Sequence, residues 1–214
     1  MHQKKILVIS DLDGTLTTEQ SSWQYILERL NLWIPEGKKN LEKFLNKEIN
    51  YDEFIQLDVS LLKGVPVHKY LDVINSIKFN QGAFELFDYF KATSSKNIIV
   101  SSGLMDLAIK LNNFFPLSQI FANVIHNDGE VLTGSYVKNV GWNDKKGIMK
   151  NIKSAHPNYY IIAFGDTSAD LPLIQMSDLS FSCFSHSDEL IAAADYNITN
   201  LLDAIEIISN ELRE

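Results

Sequence analysis

Four short clusters in this chain of 214 residues carry side chains that could do chemistry together. The run DLDGT at 11–15 sets Asp11 and Asp13 two positions apart in a turn-forming segment. One carboxylate of such a pair can attack phosphorus while the other gives and takes a proton from the departing and incoming oxygens. On its own the pair is a weak signal, because Asp-Gly is a common turn and acidic residues often follow strands. Ser101, Ser102 and Gly103 offer a hydroxyl and backbone N–H groups at an expected helix N-terminus, which is either a phosphate cradle or an ordinary cap for a helix over 104–111. Lys145 and Lys146 open a helical pattern about 20 residues before the run GDTSAD, where a lysine pair is more often just solvated. GDTSAD at 165–170 presents Asp166 and Asp170, either as a capped helix start or as acids that join Asp11. Such an oxygen-only set suits octahedral Mg²⁺ far better than zinc.

Positioning these clusters calls for strands that end beside one another. Three apolar runs do so: 6–9 before SDLDGT, 98–100 before SSG and 159–164 before GDTSAD, each the length of a strand buried on both faces. Helical patterns separate them, at 84–90 and 145–152, and the alternation predicts an α/β fold with a doubly wound parallel sheet and helical crossovers. Ligands bind outside the carboxyl ends of such strands, so all four clusters converge on one crevice. Segments 179–184 and 196–199 extend the sheet, and 201–212 closes the chain as an amphipathic helix. Residues 17–77 break the rhythm with at least three helical patterns, at 21–30, 39–45 and 51–62, and no buried strand. They predict a small helical cap inserted into a core of 1–16 and 78–214. The turn HNDGEV at 126–131, flanked by ANVI and LTGSYV, predicts a hairpin.

In this order and at these strand ends, the clusters identify more than any one of them does. The chain resembles the haloacid dehalogenase superfamily, with its signature of DxDGT, then Ser or Thr, then Lys, then GDxxxD, on a Rossmann-like core. The cap position, the stretch VSLLKGVP at 59–66 and the hairpin ending DGEVLTG resemble the phosphoserine phosphatase branch. The resemblance implies that Asp11 is a nucleophile forming an aspartyl-phosphate and that Asp13 is the acid/base. It also implies that Asp11, the backbone carbonyl of Asp13, and Asp166 hold Mg²⁺, with Asp170 supporting them. Ser101 and Lys146 would hold phosphate, helped by Gly14, Thr15, Ser102 and Gly103. Lys146 is preferred to Lys145 because Lys146-Gly147 matches the Lys-Gly pair of the family.

The implied activity is Mg²⁺-dependent hydrolysis of a small phosphomonoester. The alternatives are a true phosphoserine phosphatase, a phosphotransferase or mutase on the same scaffold and, from another class, a receiver-like phosphoacceptor in signalling. Two features set phosphoserine apart. The arginine that similar enzymes carry just before the VSLLK-like stretch is missing, Gln56, Leu57 and Asp58 standing there instead, and Ala169 occupies an Asn position. Of only two arginines, Arg29 is the sole candidate replacement. Asp58 would repel a substrate carboxylate and favour a neutral or cationic body, unless it faces solvent. Composition narrows the remaining classes. The balance of 19 basic to 27 acidic residues argues against a nucleic-acid partner, and no apolar run is long enough for a membrane span. The lone Cys183, in an apolar setting, predicts a buried strand cysteine. The expectation is a cytoplasmic monomer or small homo-oligomer.

Overall fold

The computed structural model describes residues 4–213, so the outermost positions of the expected core lie outside the described residues. Seven strands form one sheet: β1 Lys5–Ser10, β2 Lys96–Leu104, β3 Gln119–Asn127, β4 Leu132–Val137, β5 Tyr159–Gly165, β6 Leu179–Cys183 and β7 Tyr196–Ile198. Their spatial order is β4-β3-β2-β1-β5-β6-β7, and every neighbouring pair is parallel except the hairpin β3–β4. Alternation along β1 explains why the sheet is central. Ile6 and Val8 enter one core, Leu7 and Ile9 the other, so both faces need a helical layer. On the first face lie α5 Ala83–Ala92 and α10 Leu201–Glu211, contributing Phe87, Phe90, Ala204 and Ile208. On the second lie α7 Lys145–Ala155, α8 Leu171–Gln175 and α9 Asp188–Ala193, contributing Met149, Ile152, Leu173 and Leu190. Strand order reverses between β1 and β5, which creates a crevice at their carboxyl ends.

The insertion is helical, as expected, and comprises α1 Ser22–Arg29, α2 Lys38–Leu45, α3 Tyr51–Leu61 and α4 Val67–Ser76. Asn50 and Glu53 form a reciprocal capping box that starts α3. The fourth helix was not singled out in the sequence, although Tyr70 and Ile74 bury one face of it. Its position is secured by α6, Met105–Asn112. The Tyr70 hydroxyl donates to Asp106 Oδ2 at 2.7 Å, and Lys110 Nζ donates to the carbonyl of Asn75 in the last turn of α4 and to that of Ile77 just past it. The chain leaves and re-enters the core side by side. Thr17 opposes Phe79, and Asn80 Nδ2 donates to the carbonyls of Thr15 and Thr17 at 3.0 and 2.9 Å. The hairpin forms with Asp128 Oδ1 accepting from the N–H groups of Glu130 and Val131, and Cys183 is buried in β6. Among the described residues no helix is long and apolar enough to cross a membrane.

Candidate active site

Asp11 is the first residue past β1, held there by its N–H donating to the Phe164 carbonyl of β5 at 3.1 Å. Its Oδ1 accepts from the Leu12 N–H at 2.7 Å, which leaves Oδ2 facing Lys145 Nζ at 2.9 Å. Lys145 is 1% exposed and bridges to Asp170 Oδ1 at 2.5 Å. The other oxygen of Asp170 accepts from the N–H groups of Asp166 and Thr167, both at 3.1 Å, and from the Thr167 hydroxyl. Both oxygens of Asp170 thus have partners within the protein. Asp166 differs. Its Oδ1 accepts from the Thr15 hydroxyl at 3.0 Å, whereas Oδ2 is buried with no hydrogen-bond partner. Gly14 lies against that free oxygen at φ +71°, and a Cβ there would sit 2.2 Å from it, so the turn requires glycine.

Asp13 belongs to a separate arrangement. Its Oδ2 accepts from both the N–H and the hydroxyl of Ser22, at 2.8 and 2.7 Å, which ties the acid to the first turn of α1 in the cap. Its Oδ1 is buried and unpartnered. Ser101 is buried, and its Oγ accepts from the Gly103 N–H at 3.1 Å. The half-buried Ser102 lines the cavity above, and its carbonyl accepts from Trp23 Nε1 at 3.0 Å, a second tie between cap and core.

Three expectations need correction. Lys146 is exposed, and Lys145 is the lysine in the crevice. Helix register carried that signal, because Lys145 shares a face with the buried Met149 and Ile152, four and seven positions on, while Lys146 falls in line with the exposed Lys150. Secondly, Ser101–Gly103 lie within β2, which runs on to Leu104, and not in the first turn of a helix. Thirdly, the Gly14 N–H is taken by the Glu19 carbonyl at 2.7 Å, and the Thr15 hydroxyl serves Asp166, so neither group is free to bind a phosphate oxygen. Ser22, Trp23 and Trp142 line or brace the site, and no local pattern announced them.

Electrostatics follow from one ammonium facing four carboxylates in a buried crevice. Burial pushes Asp11 up to about 7 against the pull of Lys145. Burial, then repulsion from Asp11 and Asp170, pushes Asp166 up to about 9. Burial also raises Asp13, opposed by the two hydrogen bonds from Ser22, so this carboxyl is biased towards the protonated form that a general acid needs. For Lys145, burial acts to lower the pKa, but Asp11 and Asp170 outweigh it and keep the ammonium charged. Asp11, Asp166 and Asp170 offer oxygens within 4.8 Å of one another. A surplus of buried negative charge, an orphaned Asp166 oxygen and an all-oxygen donor set together fit a divalent cation of the Mg²⁺ type.

Above the acids opens a cavity of about 270 Å³, lined by the core residues Asp11, Asp13, Lys145 and Asp166 and roofed by cap side chains. That volume suits a small metabolite.

The chain is similar in sequence and fold to known proteins. Residues 8–175 match the family model for haloacid dehalogenase-like hydrolases. A phosphoserine phosphatase of Lactococcus lactis is 27% identical over 95% of this chain and 95% of its own length, and one of Methanocaldococcus jannaschii is 28% identical over 85% and 87%. Among solved structures, a substrate-bound phosphoserine phosphatase complex superposes with a TM-score of 0.81 at 23% identity, covering 96% of this chain and 99% of its own. A phospho-aspartyl intermediate analogue of phosphoserine phosphatase gives 0.78 at 25% identity, covering 95% and 99%. The chain belongs to the haloacid dehalogenase-like hydrolases. Within that superfamily it falls in the phosphoserine-phosphatase-like branch with an inserted helical cap, and it is a phosphoric monoester hydrolase. A receiver-like signalling role is thereby set aside.

Proposed function

We propose that this enzyme hydrolyses a small phosphomonoester whose body carries no carboxylate, using Mg²⁺ and Asp11 as nucleophile. Asp11 attacks phosphorus, its new O–P bond forming as the P–O bond to the alcohol breaks, and the alcohol oxygen takes the proton of Asp13. Water then attacks the aspartyl-phosphate and gives a proton to the Asp13 carboxylate, and the Asp11–phosphorus bond breaks to release phosphate. Lys145 neutralises charge on the phosphate oxygens, a role supported by its burial and by its 2.9 Å contact with Asp11, and Ser101 and the N–H of Ser102 contribute hydrogen bonds. Asp11, Asp166 and the Asp13 carbonyl would hold Mg²⁺, which supplies positive charge at the phosphoryl group. Asp170 orients Lys145 and the Asp166 loop. In this reading the cap, 17–77, shields the crevice, and the paired linkers around Thr17 and Phe79 are where it would hinge. A cytoplasmic location accords with a single cysteine that is buried and unpaired.

Phosphoserine itself is the second reading, favoured by the names of the similar enzymes. Against it stand the lining residues. Among the described residues that line the cavity Lys145 is the one cation, and it is already engaged by Asp11 and Asp170. Arg29 is exposed, its guanidinium 6.0 Å over the Tyr25 ring and away from the cavity, so it supplies no clamp for a carboxylate.

The observation that carries the proposal is the buried Asp11–Lys145–Asp170 chain beside the unpartnered oxygen of Asp166. Phosphate release from p-nitrophenyl phosphate tests it. Activity should require Mg²⁺, vanish with EDTA and vanish in Asp11→Asn. Turnover at the wild-type rate in that variant would remove Asp11 from its role.

A further inference from the structure

One face of α3 forms part of the roof of the cavity. Tyr51, Phe54, Ile55 and Asp58, at helical spacings of three, four and seven, all line it. The rings around this face form a continuous wall. Phe44 of α2 stacks on Phe54 with centroids 5.2 Å apart, Tyr51 lies 5.5 Å from Trp142, and Trp33 adds a further indole. Trp33 is seated against Gly37, where a Cβ would lie 2.6 Å from the ring. Among the described cap residues from 33 to 58 that line the cavity, Asp58 alone carries a charge. It does not face solvent, being 1% exposed. Its Oδ1 accepts from Asn40 Nδ2 at 2.9 Å, its Oδ2 is buried without a partner, and among the described residues no cationic side chain pairs with it.

A buried carboxylate with one oxygen unpaired is costly unless something cationic comes to it. An aromatic wall attracts cations through the negative faces of its rings, and it suits a methylated ammonium, which has little or no N–H to satisfy. We propose that this end of the cavity binds the methylated ammonium head of an amino-alcohol phosphate, with Asp58 as its counter-ion and the rings of Trp33, Phe44, Tyr51, Phe54 and Trp142 as its walls. The inference rests on the phosphatase reading above and names the substrate class for that same site. The phosphate end sits over Asp11 and Lys145, and the cationic end meets the cap. A carboxylate in the same place would meet Asp58 instead of an arginine.

The test compares choline phosphate with 3,3-dimethylbutyl phosphate, which has the same shape with carbon in place of the charged nitrogen. Choline phosphate should have the higher kcat/KM by at least about tenfold, the scale expected for a desolvated cation held by aromatic faces and a carboxylate. Ethanolamine phosphate should fall below it, because its three N–H donors must give up water to enter an end of the cavity lined mainly by rings, whereas a fully methylated head has no N–H to satisfy. Asp58→Asn should bring the choline-to-isostere ratio towards one. Trp142→Leu, at a position already 43% exposed and so safe for folding, should lower the same ratio. Binding of both esters to the Asp11→Asn variant, followed by tryptophan fluorescence, gives a readout that needs no turnover. If p-nitrophenyl phosphate is hydrolysed but the two esters are equivalent in turnover and binding, the cation site is wrong while the phosphatase stands. If no ester is hydrolysed, the catalytic reading fails, and the binding ratio still decides the cation site. Ethanolamine phosphate outperforming choline phosphate would overturn the preference for a methylated head.

Discussion

Replacing Asp58 by asparagine should change how stability varies with pH, with a sign and size set by burial. Burial lifts this carboxyl from an ordinary 3.8 to about 6, the hydrogen bond from Asn40 pulling the other way. A folded value above the unfolded one means that the native chain holds the proton more tightly than the unfolded chain does. The resulting stabilisation is fully present below the unfolded value and is lost as the pH rises through about 6. A shift of roughly two units corresponds to about 3 kcal/mol, of which about 2 kcal/mol falls between about pH 4.5 and 7.5. Asp58→Asn removes the titration and keeps the oxygen that accepts from Asn40. The unfolding free energy of the variant relative to wild type should therefore move in its favour by about 2 kcal/mol across that window. Urea unfolding in EDTA, followed by fluorescence and far-ultraviolet circular dichroism at stepped pH, measures the difference. Contributions from Asp11 and Asp166 are common to both proteins and cancel. A difference that stays flat, or moves against the variant, would falsify the reasoning, because the carboxylate would then be paired with a cation or no harder to ionise in the folded chain than in the unfolded one. Wild type would thus hold an uncompensated charge at a cost in stability, a cost expected where a site is shaped for a cationic ligand.

Two further outcomes follow from the catalytic arrangement. Lys145→Met should lower kcat/KM by on the order of 10²–10³, as removal of a preorganised charge-stabilising group does, while Lys146→Met on the exposed face of α7 should leave it within about twofold; steady-state kinetics of the two variants side by side checks the assignment, and the reverse ranking would restore Lys146. Asp13→Asn should slow turnover by about 10²–10⁴, typical of a lost general acid, with Mg²⁺ affinity by calorimetry retained because its contact with the ion would be a backbone carbonyl; a collapse in affinity would make its carboxylate a ligand.

Much of this protein could be read along the chain because the signals were local. Apolar runs of strand length, each ending in small or acidic residues, foretold β1, β2 and β5, and their alternation with helical periods foretold the parallel sheet. Parallel strands leave their polar tails at one edge, so Asp11, Ser101 and Asp166 were destined for a common crevice. The cap announced itself as a stretch with helical period and no buried strand, and the hairpin as an Asn-Asp-Gly turn between alternating segments. Even the choice between two adjacent lysines was available, since the side of a helix facing the core is a matter of period.

Other features depended on contacts that no local pattern encodes. Thr15 meets Asp166 across 151 positions, and Ser22 holds Asp13 although its own neighbourhood shows only a helix start. Asp58 is the clearest case. A single acid on an amphipathic helix is usually solvated, and its spacing from Tyr51, Phe54 and Ile55 places it on their face without saying what covers that face. Burial came from α2 and the roof of the cavity, which supply Asn40 and the surrounding rings and leave one oxygen without a partner. Helical and strand periods are set by each residue's immediate neighbours, so they survive in sequence. Whether a charge is solvated, paired or held bare in a low-dielectric pocket depends on which distant segments pack around it.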